Sequence, residues 1–524
     1  MSETEASRFL VQTTFGPRPE DVIELQQLGY TEWFKRQVSL DDNFNALGRY
    51  DSHIEAGGDN DVRYHQAMFT DNALRSDAQL RWRMVDALSQ ILVVSFEDNS
   101  SRLRKRHFAD YLDLLHEESL GNYCDLVEGV TEHPLMALYL SFHQNRKADP
   151  ALGSAPDENY ARELLQLFTI GLDELHLDGT PTGSPTYNND DIEGLARVFT
   201  GFSAYFTNFS DRPDDPDADI AMTVDNQYHE GGPKAFLGTV LDTGADATRS
   251  REAALSHILG HSNVAPFISK RLIQHFIRSN PTPSYVERVS RAFETGSYTL
   301  PDGTVVGEGR RCDLSATMGA VIFDPEARDA EIAAEDEYGK VRSTRLRQLQ
   351  ILRVFAKMGP VSQSGLLPEI GRLRFDWALS NHRFFEASSV FNDFRSTFVP
   401  SGTEMSAKGL VAPEMEILTA EHILSVDRNA PDRILENVRE NGLDEYDAVR
   451  FVELARTPEL LADRLDVLFT YGTLPEEDKQ LLLDMIIAVG NGREPADLTD
   501  GQLENRIRVA VRFFASTPQY IVQR

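Results

Sequence analysis

Leu80-Arg81-Trp82-Arg83-Met84-Val85-Asp86-Ala87-Leu88-Ser89-Gln90-Ile91-Leu92-Val93-Val94 is the stretch that decides the fold. Leu80, Met84, Leu88, Ile91 and Leu92 fall on one stripe of a 3.6-residue repeat, so the segment predicts a long amphipathic helix with one face in a core. The same spacing recurs on both sides of it. Ala6–Thr13, Pro19–Leu28 and Thr31–Val38 precede it, with Gly29 as a stop and Thr31 as a cap. Leu103–Leu120 and Asp125–His133 follow, separated by Gly121.

Further along, helices are predicted at Ala265–Ser279, Ser284–Phe293, Leu314–Ile322 and Ser343–Met358. Others are predicted at Leu366–Trp377, Pro413–Ser425, Tyr446–Leu454, Pro458–Leu468, Glu476–Val489 and Thr499–Ser516. Asp190 or Asp191 is expected to cap a helix running to Phe199. Residues 144–157, 173–190 and 207–233 are rich in turn formers and read as loops. One small hairpin is expected from Tyr298 to Val306, around Pro301-Asp302-Gly303. The expected fold is mainly α: a large multi-helix orthogonal bundle with long loops. No repeat of fixed period argues for a solenoid. An acidic stretch at 326–340 suggests a lobe boundary, giving lobes 1–330 and 331–524.

The chain has 524 residues, 41% of them hydrophobic and 26% charged, which is enough for a sizeable core. Its formal net charge of -31 excludes the basic footprint that nucleic acid or an anionic membrane requires. No apolar run is long enough to span a bilayer. Met1-Ser2-Glu3-Thr4-Glu5 lacks the basic and apolar regions of a signal peptide. The chain is therefore expected to be cytoplasmic, or to have lost a leader. Two cysteines, Cys124 and Cys312, exclude a disulfide scaffold. Two buried free thiols are the expectation, with a single bridge as the alternative.

Three constellations could carry chemistry. The first is Asp157–Phe168. Asp157 can cap a helix on which Ala161, Leu164, Leu165 and Phe168 face the core. Asn159, Glu163 and Gln166 form a second stripe, and Glu158 and Arg162 stand at i and i+4 for an ion pair. A carboxylate held beside an arginine suits acid–base work. On spacing alone, the segment reads as an ordinary amphipathic helix with one salt bridge.

The second is Tyr228-His229-Glu230-Gly231-Gly232-Pro233-Lys234, a tight loop offering His229 as a base or ligand and Lys234 as an anchor for an anion. The third is the acidic run Asp211–Asp219. Asp215, Asp217 and Asp219 alternate as in a calcium loop, but Ile220 and Asn226 stand where that loop needs Gly and Glu. An irregular calcium site or a solvated surface loop is what remains of it. Walker, dinucleotide and Gly-x-Ser-x-Gly templates do not occur.

These residues also carry a resemblance. Phe15-Gly16, Ala87–Ser95, Gly121-Asn122-Tyr123, Val130–Met136, Pro156–Glu163 with Gln166–Leu172, and Ala196–Gly201 occur in that order. His229 with Gly232-Pro233-Lys234 and Phe236-Leu237-Gly238, Asp324–Arg328, Phe391–Phe394 and Gln523-Arg524 complete the set. The chain resembles the bacterial family catalogued as domain of unknown function 1800. It departs from that pattern at Cys312, where a Gly is expected before the Asp, and at Asn381-His382-Arg383.

The resemblance implies an exported, periplasmic or extracellular protein, encoded beside a second family similar to sulfatases and alkaline phosphatases. It implies no established reaction. Two functional expectations follow. One is a hydrolase acting on an extracellular polymer or an anionic or carbohydrate substrate. In it Glu163, Glu158 and His229 would be catalytic, and Asn159, Arg162, Gln166 and Lys234 would hold substrate. The other is a non-enzymatic secreted partner that binds or matures the sulfatase-like protein.

Overall fold

The computed structural model describes residues 1–58, 62–96, 105–203, 222–355, 382–419, 448–490 and 493–524. Within them the chain is mainly helical, with small two-stranded sheets and isolated bridges as its extended pairings. The decisive stretch forms a helix over Gln79–Ile91, with Leu80, Met84, Leu88 and Ile91 buried. Helices at Val264–Phe276, Pro283–Thr295, Leu314–Phe323, Pro458–Thr470, Glu476–Ala488 and Asp500–Ala515 lie where periodicity places them. Thr282 and Thr499 cap two of them by accepting hydrogen bonds from Tyr285 N and Gln502 N. A single apolar core runs through the described residues, from Ala6 and Phe9 to Phe514 and Tyr520.

Several boundaries differ from the sequence reading for local reasons. Gly29 ends one helix and begins the next, Tyr30–Ser39, so Thr31 lies inside it and does not cap it. The cap before Asn189–Ala196 is Asn188, which accepts from Asp190 N and Asp191 N while Asp191 reaches back in a capping box. Residues 173–185 form a hairpin, Asp173–Leu175 against Pro181–Pro185. The expected Tyr298–Val306 hairpin is present, and hairpins at Phe202–Ser203/Thr223–Val224 and Lys234–Phe236/Thr239–Leu241 accompany it. Lys340–Val341 pairs with Val522–Gln523, which returns the C-terminus to the middle of the chain. The expected helix at Leu366–Trp377 lies outside the described residues.

The cysteines correct an expectation. Cys124 and Cys312 form a disulfide with Cα atoms 5.7 Å apart, so neither is a free thiol. The two residues sit on neighbouring segments, because Tyr123 N donates to Cys312 O and Asn122 bridges to Asp313. Sequence distance concealed this contact.

Candidate functional site

The Pro156–Glu163 segment is held from its first residues. Asp157 N donates to Asn145 Oδ1 at 2.8 Å, and Asp157 Oδ1 accepts from Asn159 N at 2.8 Å. An α-helix over Asn159–Glu163 then loosens into a π-helical turn over Leu164–Thr169. Thr169 Oγ1 donates to Leu164 O, and Ile170 N donates to Leu165 O, five residues back. Tyr160, Ala161, Leu164, Leu165 and Phe168 are buried as their stripe requires.

Glu158 and Arg162 pair at 3.1 Å with both side chains 41% exposed, which limits the pair to a few tenths of a kcal/mol. Asn159 is exposed and donates to Ser141 Oγ. Glu163 is buried, and its Oε2 makes no hydrogen bond among the described residues. Burial raises its pKa above the usual carboxylate range, and Arg162 partly opposes the shift.

His229 is turned into a different neighbourhood. Its Nδ1 lies 2.8 Å from Thr200 O, so Nδ1–H donates and the ring is the Nδ1-protonated tautomer. Nε2, 3.1 Å from Ser250 Oγ, then accepts from that hydroxyl. Nucleophile, base and orienting carbonyl stand in the order of an activated serine. However, Ser250 has 0% exposure and His229 only 4%, so the hydroxyl offers no surface to a substrate. The trio ties the loop before Gly231 to the first turn of the helix Ala247–Leu259.

Lys234 is also buried, and its Nζ donates to Gly232 O at 3.4 Å. Its strand packs against the Asn189–Ala196 helix at Gly194, where a Cβ would stand 1.7 Å from Ala235 O. Asp215, Asp217 and Asp219 lie outside the described residues. Among the described residues no cluster of His, Cys, Asp and Glu could hold a metal ion.

Of the described candidates, Gln166 lines a cavity of about 610 Å³. The helix Val264–Phe276 forms one wall. Its apolar face, including Ile268, Leu272, Ile273 and Phe276, is in the core. Its other face turns Phe267, Lys270, Arg271 and Gln274 to the cavity at i, i+3, i+4 and i+7, with His275 beside them. Gln90 and the Phe391-Asn392 turn close the opposite side. Asn392 has φ 68° and donates to Gln90 Oε1 at 3.3 Å. Gly171 has φ 73°, and a Cβ there would stand 2.7 Å from the Phe267 ring, so only glycine lets that ring lie against the chain.

The cavity's charges are unevenly paired. Glu414 is held by Lys340 at 2.8 Å and Arg395 by Glu416 at 2.6 Å. Behind the wall, Asp86 is shared by Arg83 at 3.0 Å and Arg345 at 2.6 Å. Arg271 is different. Its guanidinium stacks 4.6 Å from the Phe267 ring centroid, its Nε makes no hydrogen bond, and it has no carboxylate partner among the described residues. Burial lowers its pKa to about 10, which still leaves it charged at neutral pH. Lys270 likewise has no acidic partner among the described residues, and burial lowers its pKa. Burial, together with Lys340, Arg83, Arg271 and Arg345, holds the pKa of His275 well below the ordinary value.

Sequence reasoning missed Lys270, Arg271 and His275. The available signal was the polar stripe of the Val264–Phe276 helix, and a stripe facing a cavity has the same spacing as one facing water.

A family model described as a protein of unknown function, DUF1800, matches residues 8–522. No curated protein and no solved structure matches the chain. The chain belongs to the DUF1800 family. Three of the blocks that carry its resemblance to that family meet at this cavity: Ala87–Ser95 through Gln90 and Ile91, Gln166–Leu172 through its two ends, and Phe391–Phe394.

Proposed function

We propose that this member of the DUF1800 family is an exported protein that holds an acidic saccharide, as part of an extracellular polymer, in the cavity beside the Val264–Phe276 helix. The observation that carries the reading is Arg271, a half-buried cation without a counter-charge among the described residues, stacked on Phe267 and facing that space. A guanidinium that faces a cavity with no carboxylate partner among the described residues is completed by a ligand anion. The planar guanidinium fork matches a carboxylate. The neighbouring groups suit a sugar. Gln166 brings an amide that both donates and accepts, and Phe267 and Phe391 line the same space with aromatic surface for the apolar side of a pyranose.

Export is supported by the Cys124–Cys312 bridge, since disulfides persist in oxidising compartments. Among the described residues no helix is long and apolar enough to cross a membrane.

Titration calorimetry with oligomers of galacturonate, guluronate and glucuronate, against neutral oligosaccharides of equal length, tests the reading. Acidic oligomers should bind and neutral ones should not. Arg271→Met should weaken binding roughly 10- to 100-fold, the worth of one charge-assisted pair, and leave the melting temperature unchanged or higher. A structural arginine would give the opposite stability result. Equal affinity for neutral and acidic oligomers, or no binding of either, would overturn the assignment.

A further inference from the structure

We propose that the reaction in this cavity is β-elimination on a uronate polymer, with Arg271 neutralising the sugar carboxylate and His275 removing the proton from the carbon beside it. The inference rests on the reading that the cavity holds an acidic saccharide, and it names the chemistry.

Hydrolysis of a glycosidic bond by the common route uses two carboxyl groups, roughly 5 Å or roughly 6.5–9.5 Å apart. The cavity is poorly supplied with them. Of its lining carboxylates, Glu414 is committed to Lys340 at 2.8 Å, and Asp173 lies exposed on the hairpin strand Asp173–Leu175. Glu163 is not part of the lining.

The cavity does supply a fixed cation and an uncharged base on one helix. Arg271 and His275 are i and i+4, neighbours on the helix surface. The two histidines differ in what their rings do. Both ring nitrogens of His229 are used by Thr200 and Ser250. The ring of His275 makes no hydrogen bond among the described residues, and the residue lines the cavity. Its backbone carbonyl accepts from Arg83 Nη2 at 3.3 Å and Lys340 Nζ at 2.9 Å, which fixes the end of the helix that carries it.

Burial first, and then the charges of Lys340, Arg83, Arg271 and Arg345 around the ring, with His382 close by, hold the imidazole neutral. Arg83, Arg345 and Lys340 already have Asp86 or Glu414. Of these four cations, Arg271 is the one left for the substrate.

The step balances without another reactant. A uronate carboxylate paired with the guanidinium loses negative charge, so the proton on the adjacent ring carbon, C5, becomes more acidic. An imidazole nitrogen of His275 takes that proton. The C5–H electron pair forms the C4–C5 double bond, and the C4–O bond breaks. The departing oxygen keeps its electron pair and takes a proton, returned by the imidazolium. One chain becomes two, one of them ending in an unsaturated sugar acid, and no water is consumed. A bound carboxylate also offsets Arg271, one of the charges that lower the basicity of the ring.

The test uses the full chain with its disulfide intact, incubated with polygalacturonate, alginate and chondroitin. At least one should gain the ultraviolet band of an α,β-unsaturated acid in step with new reducing ends. His275→Asn should slow that gain by 100-fold or more, within the usual worth of a general base, while calorimetric affinity for the same polymer stays within a few-fold. Arg271→Met should lose both. Reducing ends without the band, or binding without cleavage, would overturn elimination and leave the acidic-saccharide reading standing. Absence of binding to all three polymers would overturn both, and the wild-type measurement alone decides this if a variant fails to fold.

Discussion

Cys312 has φ 73°, a left-handed backbone that L side chains rarely adopt. The conformation is held from both sides, because Cys312 N donates to Phe293 O at 2.8 Å and its carbonyl accepts from Tyr123 N at 2.9 Å. A glycine would suit the position, and the resemblance to the family expects one there. The bridge to Cys124 spans 188 residues, and closing so long a loop in the unfolded chain is worth roughly 5 kcal/mol in the chain-entropy account. Two bridge-free variants separate that gain from the backbone cost. Relative to Cys124→Ala with Cys312→Ala, Cys124→Ala with Cys312→Gly relieves roughly 1–2 kcal/mol of left-handed strain. Glycine returns roughly 0.5–1 kcal/mol of this through unfolded-chain freedom. Urea denaturation should therefore find the glycine variant more stable by about 0.5–1 kcal/mol, and both variants less stable than the bridged protein. Residue-scale chemistry was the least legible part of the sequence. Glu163 and His229 were visible as types but not as environments: one is a buried acid whose Oε2 has no hydrogen-bond partner among the described residues, the other a fully bonded ring. Arg271 and His275 were hidden because what distinguishes them is the absence of a partner in space among the described residues, and spacing along a chain carries no record of that.

At the scale of elements, the Thr200–His229–Ser250 trio joins a loop to a helix, and its removal should read as lost stability and nothing else. Ser250→Ala leaves Nε2 of a buried imidazole without its donor, at a cost of roughly 1–3 kcal/mol. Chemical denaturation should show that loss, while affinity of the cavity for acidic oligomers stays unchanged. A variant of unaltered stability that stopped turning over substrate would instead make Ser250 a nucleophile. The elements themselves divide by length. Most of the long helices left a readable period, but Ala46–Glu55 and Val62–Arg75 did not, and the caps at Thr282 and Thr499 were not read from the sequence. The two- and three-residue strands left none, because alternation over so few positions is indistinguishable from a loop. The π turn at Leu164–Thr169 was equally unreadable. Its apolar stripe matches an α-helix until the fifth-residue bonds are seen, and Gln166 and Leu167, which line the cavity, belong to that turn.

For the whole molecule, the all-helical class followed from periodicity repeated along the chain, whereas the way distant segments meet did not. The pairing of Lys340–Val341 with Val522–Gln523 and the convergence of residues 90, 166 and 392 on one cavity are products of tertiary packing. That packing also sets how the protein responds to acid. His65 is buried, stacked 5.3 Å from the Tyr50 ring and near Phe96 and Phe108, and its ring nitrogens make no hydrogen bond among the described residues. Burial, helped by Lys105 and His53, lowers its pKa from 6.5 to about 3. The unfolded chain therefore binds a proton between these values that the folded chain refuses. The contribution to stability is complete above pH 6.5 and is lost as pH falls toward 3, with a slope of up to about 1.4 kcal/mol per pH unit for the one proton. His275 and His382 are shifted in the same direction and steepen the same limb. His65→Phe keeps an aromatic ring among its aromatic neighbours and removes the titration. Denaturation free energies measured from pH 7 to pH 4 should fall less steeply for this variant than for the native chain, by up to one proton's worth. Parallel curves would mean that His65 is protonated in the folded state and that acid acts elsewhere in the molecule.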